Sequence, residues 1–218
     1  KLKVSKTTYN KIIFFAGNAS HQHYSKKQIF GDIIPRYNVI EYIKDFNNCI
    51  VVKNKGDQKK AYQNSDQLSY VIYEKHILEL TQKEMFHELS RSSFFLALPG
   101  VNMPLCHNVI EAMFCKSIPI LQDIYANMFP TPLTNGINCF IYREREDLVD
   151  ISKRIENLSL NEIEMIQSNV EKYYQENLSA KAVTNLVTDT EDVKFYLQSE
   201  NYGLSLFSKR KAKSQLND

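Results

Sequence analysis

The segment Lys11-Ile-Ile-Phe-Phe-Ala16, closed by Gly17-Asn18, constrains this chain more than any other. A strand with one wet face alternates apolar and polar residues, whereas an unbroken apolar run of strand length has both faces covered, as in a parallel sheet with helices on each side. Further runs of the same kind follow: Cys49-Ile-Val-Val52, Tyr70-Val-Ile-Tyr73, Ser93-Phe-Phe-Leu-Ala-Leu98, Ile118-Pro-Ile-Leu121 and Asn138-Cys-Phe-Ile-Tyr142. Proline cannot donate to a ladder, so Pro119 predicts an edge strand or a strand's first residues. Helical pattern is read over about 25–46 with an interruption at Pro35, over 81–90, from 108, and from 147 through 158, 161–176 and 180–197. Thr81 with Glu84, and Asn108 with Glu111, have capping-box spacing. The polar stretch 53–69 reads as a long loop. Strands alternating with helices in this way predict an α/β chain, a doubly wound, Rossmann-like parallel sheet followed by C-terminal helices.

Composition removes several other readings. With 13 Tyr and 12 Phe the chain has enough bulk for a real core, which argues against disorder. A net charge of +2 does not mark a dedicated nucleic-acid binder, so no nucleic-acid partner is expected. The basic run 209–213 is better read as a solvated tail than as a nucleic-acid or membrane contact. No window approaches eighteen consecutive apolar residues, and Lys-Leu-Lys-Val-Ser-Lys at the start lacks a signal-peptide core. The expectation is a soluble, cytoplasmic protein, or a lumenal Golgi one if this is a eukaryotic fragment. The missing initiator Met fits a trimmed piece of a longer chain. Cys49, Cys106, Cys115 and Cys139 are widely spaced in apolar company and read as reduced, structural thiols.

In a doubly wound sheet, ligands sit beyond the carboxyl ends of the strands. That rule directs attention to 17–24, 73–80, 99–108 and 122–129. In the first of these, Gly17 permits a sharp turn and Asn18 tolerates unusual dihedrals. Backbone amides there, with Ser20, would suit a phosphate, and Lys26 and Lys27 would add charge. A plain strand-to-helix turn capped by Ser25 is the favoured reading of that loop taken alone. His21 and His23 have metal-pair spacing without a third ligand nearby, and read as solvated, so no metal is expected. His87 reads as a surface or packing residue, while His76 at a strand end keeps a ligand role open.

The stretch from Leu98 to Leu121 is the most informative. A buried strand ends in Pro99-Gly100. The helix after it is apolar almost all round, and its one acid is Glu111. A carboxylate in such company needs a partner. Two partners fit equally: the Asn108 amide in a capping box, or a pair of vicinal hydroxyls such as those of a ribose.

Phe14-Phe-Ala-Gly17, Ser92-Ser-Phe-Phe-Leu-Ala-Leu-Pro-Gly100, Val109-Ile-Glu-Ala-Met113 with Ser117-Ile-Pro-Ile120, and Asp123 with Phe129-Pro130 follow one another over about a hundred residues. In that order and spacing they resemble the C-terminal, donor-binding half of a GT-B glycosyltransferase of the exostosin-like group. The resemblance covers about 11–158. It implies a polysaccharide-building transferase that binds a nucleoside-diphosphate sugar as substrate, without a cofactor, and passes the sugar with inversion to a glycan or similar hydroxyl acceptor. It implies that Glu111 holds the ribose hydroxyls, and that Gly100 and Asn102 approach the donor. His107 and Asn108 would present a helix N-terminus to the diphosphate, with Gly17, Asn18, Ser20 and Tyr73 completing the donor cleft. The chain would then divide into a nucleotide-sugar domain (1–158), helices bracing a partner half (159–200) and a basic, flexible tail (201–218). The acceptor half, with the general base, would lie in an N-terminal domain of the same or another chain; no catalytic residue is assigned here.

Three departures from the family pattern stand out. The basic residue that many members carry shortly after the first glycine has no clear counterpart. The glutamate that a broader related group places seven residues before the ribose acid is absent. Lys116 stands where a glycine usually ends the helix, so that turn needs another cap or a strained left-handed residue. The competing assignment is a non-catalytic, doubly wound nucleotide-binding or regulatory module. The stripe Ile163, Ile166, Val170, Tyr173 and Tyr174 reads most simply as packing.

Overall fold

The computed structural model describes residues 10–24, 33–63, 66–100, 107–129 and 131–188. Six strands form one all-parallel sheet: β1 (Ile12–Gly17), β2 (Cys49–Val51), β3 (Ser69–Glu74), β4 (Phe94–Leu96), β5 (Ile118–Gln122) and β6 (Phe140–Tyr142). Their order is β2-β3-β1-β4-β5-β6. Relative to the dinucleotide-binding order 3-2-1-4-5-6, the two outer strands of the first half are exchanged. The apolar run of β1 is at the centre, paired with β3 from Ile12↔Ser69 to Gly17↔Glu74 and with β4 at Ile13↔Phe94 and Phe14↔Phe95. Both of its faces are buried, as its unbroken pattern requires.

Helices cover both faces: α1 (His21–Tyr24), α2 (Arg36–Lys44), α3 (Lys55–Ala61), α4 (Gln82–Arg91), α5 (His107–Phe114), α6 (Asp123–Ala126), α7 (Asp147–Asn157), α8 (Leu160–Asn177) and α9 (Ala180–Thr188). Alternation along β3 separates the two layers. Tyr70 bonds Ser152 of α7 at 2.8 Å and packs on Phe46 just past α2. Tyr73, on the other face, donates to Glu88 of α4 at 3.3 Å. On this side α8 lies against α5 and β5, and its stripe Ile163, Ile166, Val170 and Tyr173 is buried in the same core as the sheet. None of the described helices is long and apolar enough to cross a membrane.

Two local expectations are corrected, and one with two alternatives is narrowed to one of them. The stretch 53–69 holds a helix, α3, rather than only a loop. Asn54 caps it by accepting from Gly56 and Asp57, and Gln58 and Tyr62 on its inner side donate to Glu88 at 2.8 and 2.6 Å. Tertiary anchoring to a buried acid overrides weak helical propensity there. Of the two placements expected for Pro119, a strand's first residues is the one observed: it is the second residue of β5, which is an interior strand and not an edge. Ile120 accepts from Ala97 of β4, so Pro119 faces the β6 side, where pairing begins only at Ile120↔Phe140. No donor is required at that point. Finally, α5 starts at His107, so Asn108 is inside the helix and is not its cap. The capping box at Thr81 and Glu84 forms as expected.

The end of α5 bears out the departure noted at Lys116. Lys116 is in the left-handed region, at φ 59°, alone among described non-glycine residues. Ser117 N–H donates to Ala112 O and Lys116 N–H to Met113 O, the two bonds of a Schellman turn. A lysine therefore occupies the position that glycine fills without strain.

Candidate functional site

The sheet's order places its topological switch between β1 and β4, because the connections from these neighbours run to opposite sides. A cleft of about 680 Å³ opens there, beyond the carboxyl ends of β1, β3 and β4. Of the nine candidate residues, seven line it: Gly17, Asn18, Tyr73, Gly100, His107, Asn108 and Glu111. Asn102 lies outside the described residues, as do Ser25, Lys26 and Lys27. Ser20 does not line the cleft; its carbonyl starts α1 by accepting from Tyr24 N–H at 2.9 Å, and its buried hydroxyl has no partner among the described residues.

Each wall is set by local chemistry. Gly17 is still within β1 and does not adopt positive φ, so the expected sharp glycine turn is absent. Its value is close approach: a Cβ there would stand 3.4 Å from Phe15 Cζ and 3.5 Å from Arg36 Nη1. Asn18 shapes the loop by accepting from Ser20 N–H at 3.0 Å. Tyr73 lines the cleft while its hydroxyl donates to Glu88; burial pushes that phenol's pKa up, and the Glu88 charge adds to this. At the end of the same strand, the buried Glu74 is ion-paired with Lys44 of α2 at 2.7 Å.

Glu111 projects from α5, which is held against α4 and α8. Its carboxylate makes no hydrogen bond among the described residues, and none to the Asn108 amide. Burial raises its pKa, and the nearby His107 pulls it partly back. A half-buried acid facing an open cleft without a protein partner is suited to a ligand that brings donors.

The sequence reading passed over Arg36. It stands on the buried face of α2 with Val39, Ile40 and Ile43, and only 6% of it is exposed. Nη1 donates to Asn18 O at 2.8 Å, and Nη2 donates to Leu98 O at 2.8 Å and to Pro99 O at 2.9 Å. The Tyr24 ring lies 4.5 Å from the guanidinium carbon. The loops after β1 and β4 are thus tied together across the switch point by one side chain. The signal was present in the sequence: Arg36, Val39, Ile40 and Ile43 fall at i, i+3, i+4 and i+7, so an arginine heads an apolar stripe. Lys75, also on the cleft wall, is ion-paired with Glu79 at 2.9 Å.

Of the five histidines only His107 lines the cleft; the other four do not. His21 and His23 are exposed on α1, and His21 meets the Tyr37 ring edge-on at 4.8 Å. His87 is exposed on α4. His76 is exposed, with Nδ1 4.0 Å from Glu74. Among the described residues, no group of three or more His, Cys, Asp or Glu is placed to hold a metal ion. Asp123 starts α6 and lines a second groove of about 520 Å³ beyond β5 and β6, where Gln122 bridges Ile34 N–H and Arg143 O. Comparison with protein-family models and with curated proteins returns no match for this chain.

Proposed function

We propose that the cleft binds the nucleoside diphosphate of a sugar donor, and that this chain is the donor-binding half of an inverting, GT-B type glycosyltransferase of the exostosin-like group. The observation that carries this reading is Glu111, an acid facing the switch-point cleft with no hydrogen-bond partner among the described residues. A carboxylate so placed accepts from two adjacent ribose hydroxyls, each supplying a donor that the protein does not. In the reaction, an acceptor hydroxyl oxygen attacks the anomeric carbon from the face opposite the diphosphate. The bond from that carbon to the phosphate oxygen breaks, and the nucleoside diphosphate leaves with the bonding pair. A base on the acceptor half takes the hydroxyl proton. Charge growing on the leaving phosphate is stabilised by amides at the start of α5, beside His107 and Asn108. The acceptor is a glycan or similar hydroxyl compound, and the acceptor half lies outside the described residues, in the same or another chain. Among the described residues, Cys49, Cys115 and Cys139 form no disulfide, in keeping with a cytoplasmic setting.

Calorimetry with UDP, GDP and their sugars tests the reading. Saturable binding of one of them, strongly weakened in Glu111→Ala, is the expected result. A folded sample that binds none of them, or a Glu111→Ala variant that binds as well as the parent, refutes it.

A further inference from the structure

We propose that Arg36 makes the floor of the cleft a phosphate site, a role that rests on the donor-binding reading for its biological ligand but not for its chemistry. A guanidinium has five N–H donors. Three carbonyls, those of Asn18, Leu98 and Pro99, take one each, and the buried Nε has no partner among the described residues. One Nη1 hydrogen and the Nε hydrogen are therefore without acceptors among the described residues. More telling is the charge. Arg36 is almost wholly buried and forms no ion pair among the described residues, whereas Lys75 on the same wall is held by Glu79. Carbonyl dipoles fix the orientation of the guanidinium but do not neutralise it, and a buried charge without a counter-ion is costly. An anion entering the cleft supplies what is missing, and guanidinium geometry suits phosphate.

Access runs past Gly17. Gly17 and Arg36 both line the cleft, and a methyl at Gly17 would sit 3.5 Å from Nη1. The loops that Arg36 ties together are the ones flanking the switch point, so a phosphate bound here is placed where these sheets take their ligands. Glu111 and Arg36 both line the cleft, one suited to hydroxyls and the other to an anion, which together match a nucleoside diphosphate better than a nucleoside or a sugar alone.

The test uses the whole chain and inorganic pyrophosphate as probe. The guanidinium resonances of Arg36, assigned by comparison with Arg36→Lys, are followed by NMR during titration. A saturable shift of Arg36 Nε with pyrophosphate, and none with uridine, is expected. Gly17→Ala, which keeps the strand backbone unstrained, should weaken pyrophosphate about tenfold through loss of one charge-assisted hydrogen bond. Unmoved Arg36 signals at saturating pyrophosphate, or equal affinity in Gly17→Ala and the parent, overturn the proposal. Glu111→Ala separates the two readings: it should bind pyrophosphate as the parent does. If pyrophosphate shifts Arg36 while no nucleoside diphosphate binds more tightly than pyrophosphate itself, the anion site stands and the donor reading falls.

Discussion

Replacing Lys116 by glycine should stabilise this protein, although it removes a side chain that makes an ion pair. Lys116 is at φ 59° in the turn that ends α5, and its ammonium meets Glu171 of α8 at 2.7 Å. Holding an L-residue in the left-handed region costs about 1–2 kcal/mol, a cost that glycine avoids. Glycine returns about 0.4–1 kcal/mol of this through the greater freedom of the unfolded chain. The ion pair is more than a third exposed on both sides, so its loss costs only a small part of the about 0–1 kcal/mol typical of surface pairs. Lys116→Gly should therefore be about 0.5 kcal/mol more stable than the parent. Lys116→Ala isolates the backbone contribution, because it keeps the strained dihedral and also loses the pair. It should fall about 1 kcal/mol below Lys116→Gly, or about 2–4 °C in melting temperature for a chain of this size. Urea unfolding with unchanged m-values reads the difference. If the glycine and alanine variants unfold at the same midpoint, the turn is not strained and the reasoning fails.

Other consequences follow from the buried charges and the second unusual turn. Burial raises the pKa of Glu111 in the folded state above its unfolded value near 4.5. The stability linked to its protonation is thus present below that value and lost as pH rises through the folded-state pKa. Glu111→Gln should melt above the parent at neutral pH, with the gap closing under acidic conditions, while binding nucleoside diphosphates more weakly; a gap that persists in acid would contradict this. Glu88 is fully buried and accepts from Gln58, Tyr62, Tyr73 and Arg91, with the Arg91 guanidinium 3.3 Å over the Tyr62 ring. Removing one partner of a buried pair costs about 3–5 kcal/mol, so Glu88→Ala should lower the urea midpoint sharply; a loss below about 1 kcal/mol would show that the network holds little. Gly136 adopts φ 77°, and a Cβ there would collide with the Arg154 guanidinium. Gly136→Ala should lose about 1–2 kcal/mol by thermal melting, and an unchanged melting temperature would rule out the backbone strain.

Much of the architecture was legible because the parallel sheet writes itself as unbroken apolar runs. All six strands were visible in this way, and the capping box at Thr81 and Glu84 fixed a helix start. What was hidden depended on long-range partners. The helix Lys55–Ala61 has a polar, glycine-containing sequence, and is anchored by Glu88 some thirty residues later. Pro119 is tolerated inside the sheet only because β6 begins its pairing one residue further on, which no local pattern records. The cleft was located by the strand-end rule, and seven named residues came together there. Arg36 was missed because a charged residue at the head of a helix reads as solvent-facing. Only the apolar spacing behind it pointed inward.

The exchange of β2 and β3 shapes how the molecule comes into being. The central strand has no partner in the elements that immediately follow it; its first neighbour is β3, and its second is β4. At synthesis rates of about 5–20 residues per second, β1 leaves the ribosome well before either neighbour exists. During those seconds the apolar stripe of α2, Val39, Ile40 and Ile43, is the nearest cover for its greasy residues among the described elements. The innermost element of the finished sheet is thus the one that waits longest for its strand partners.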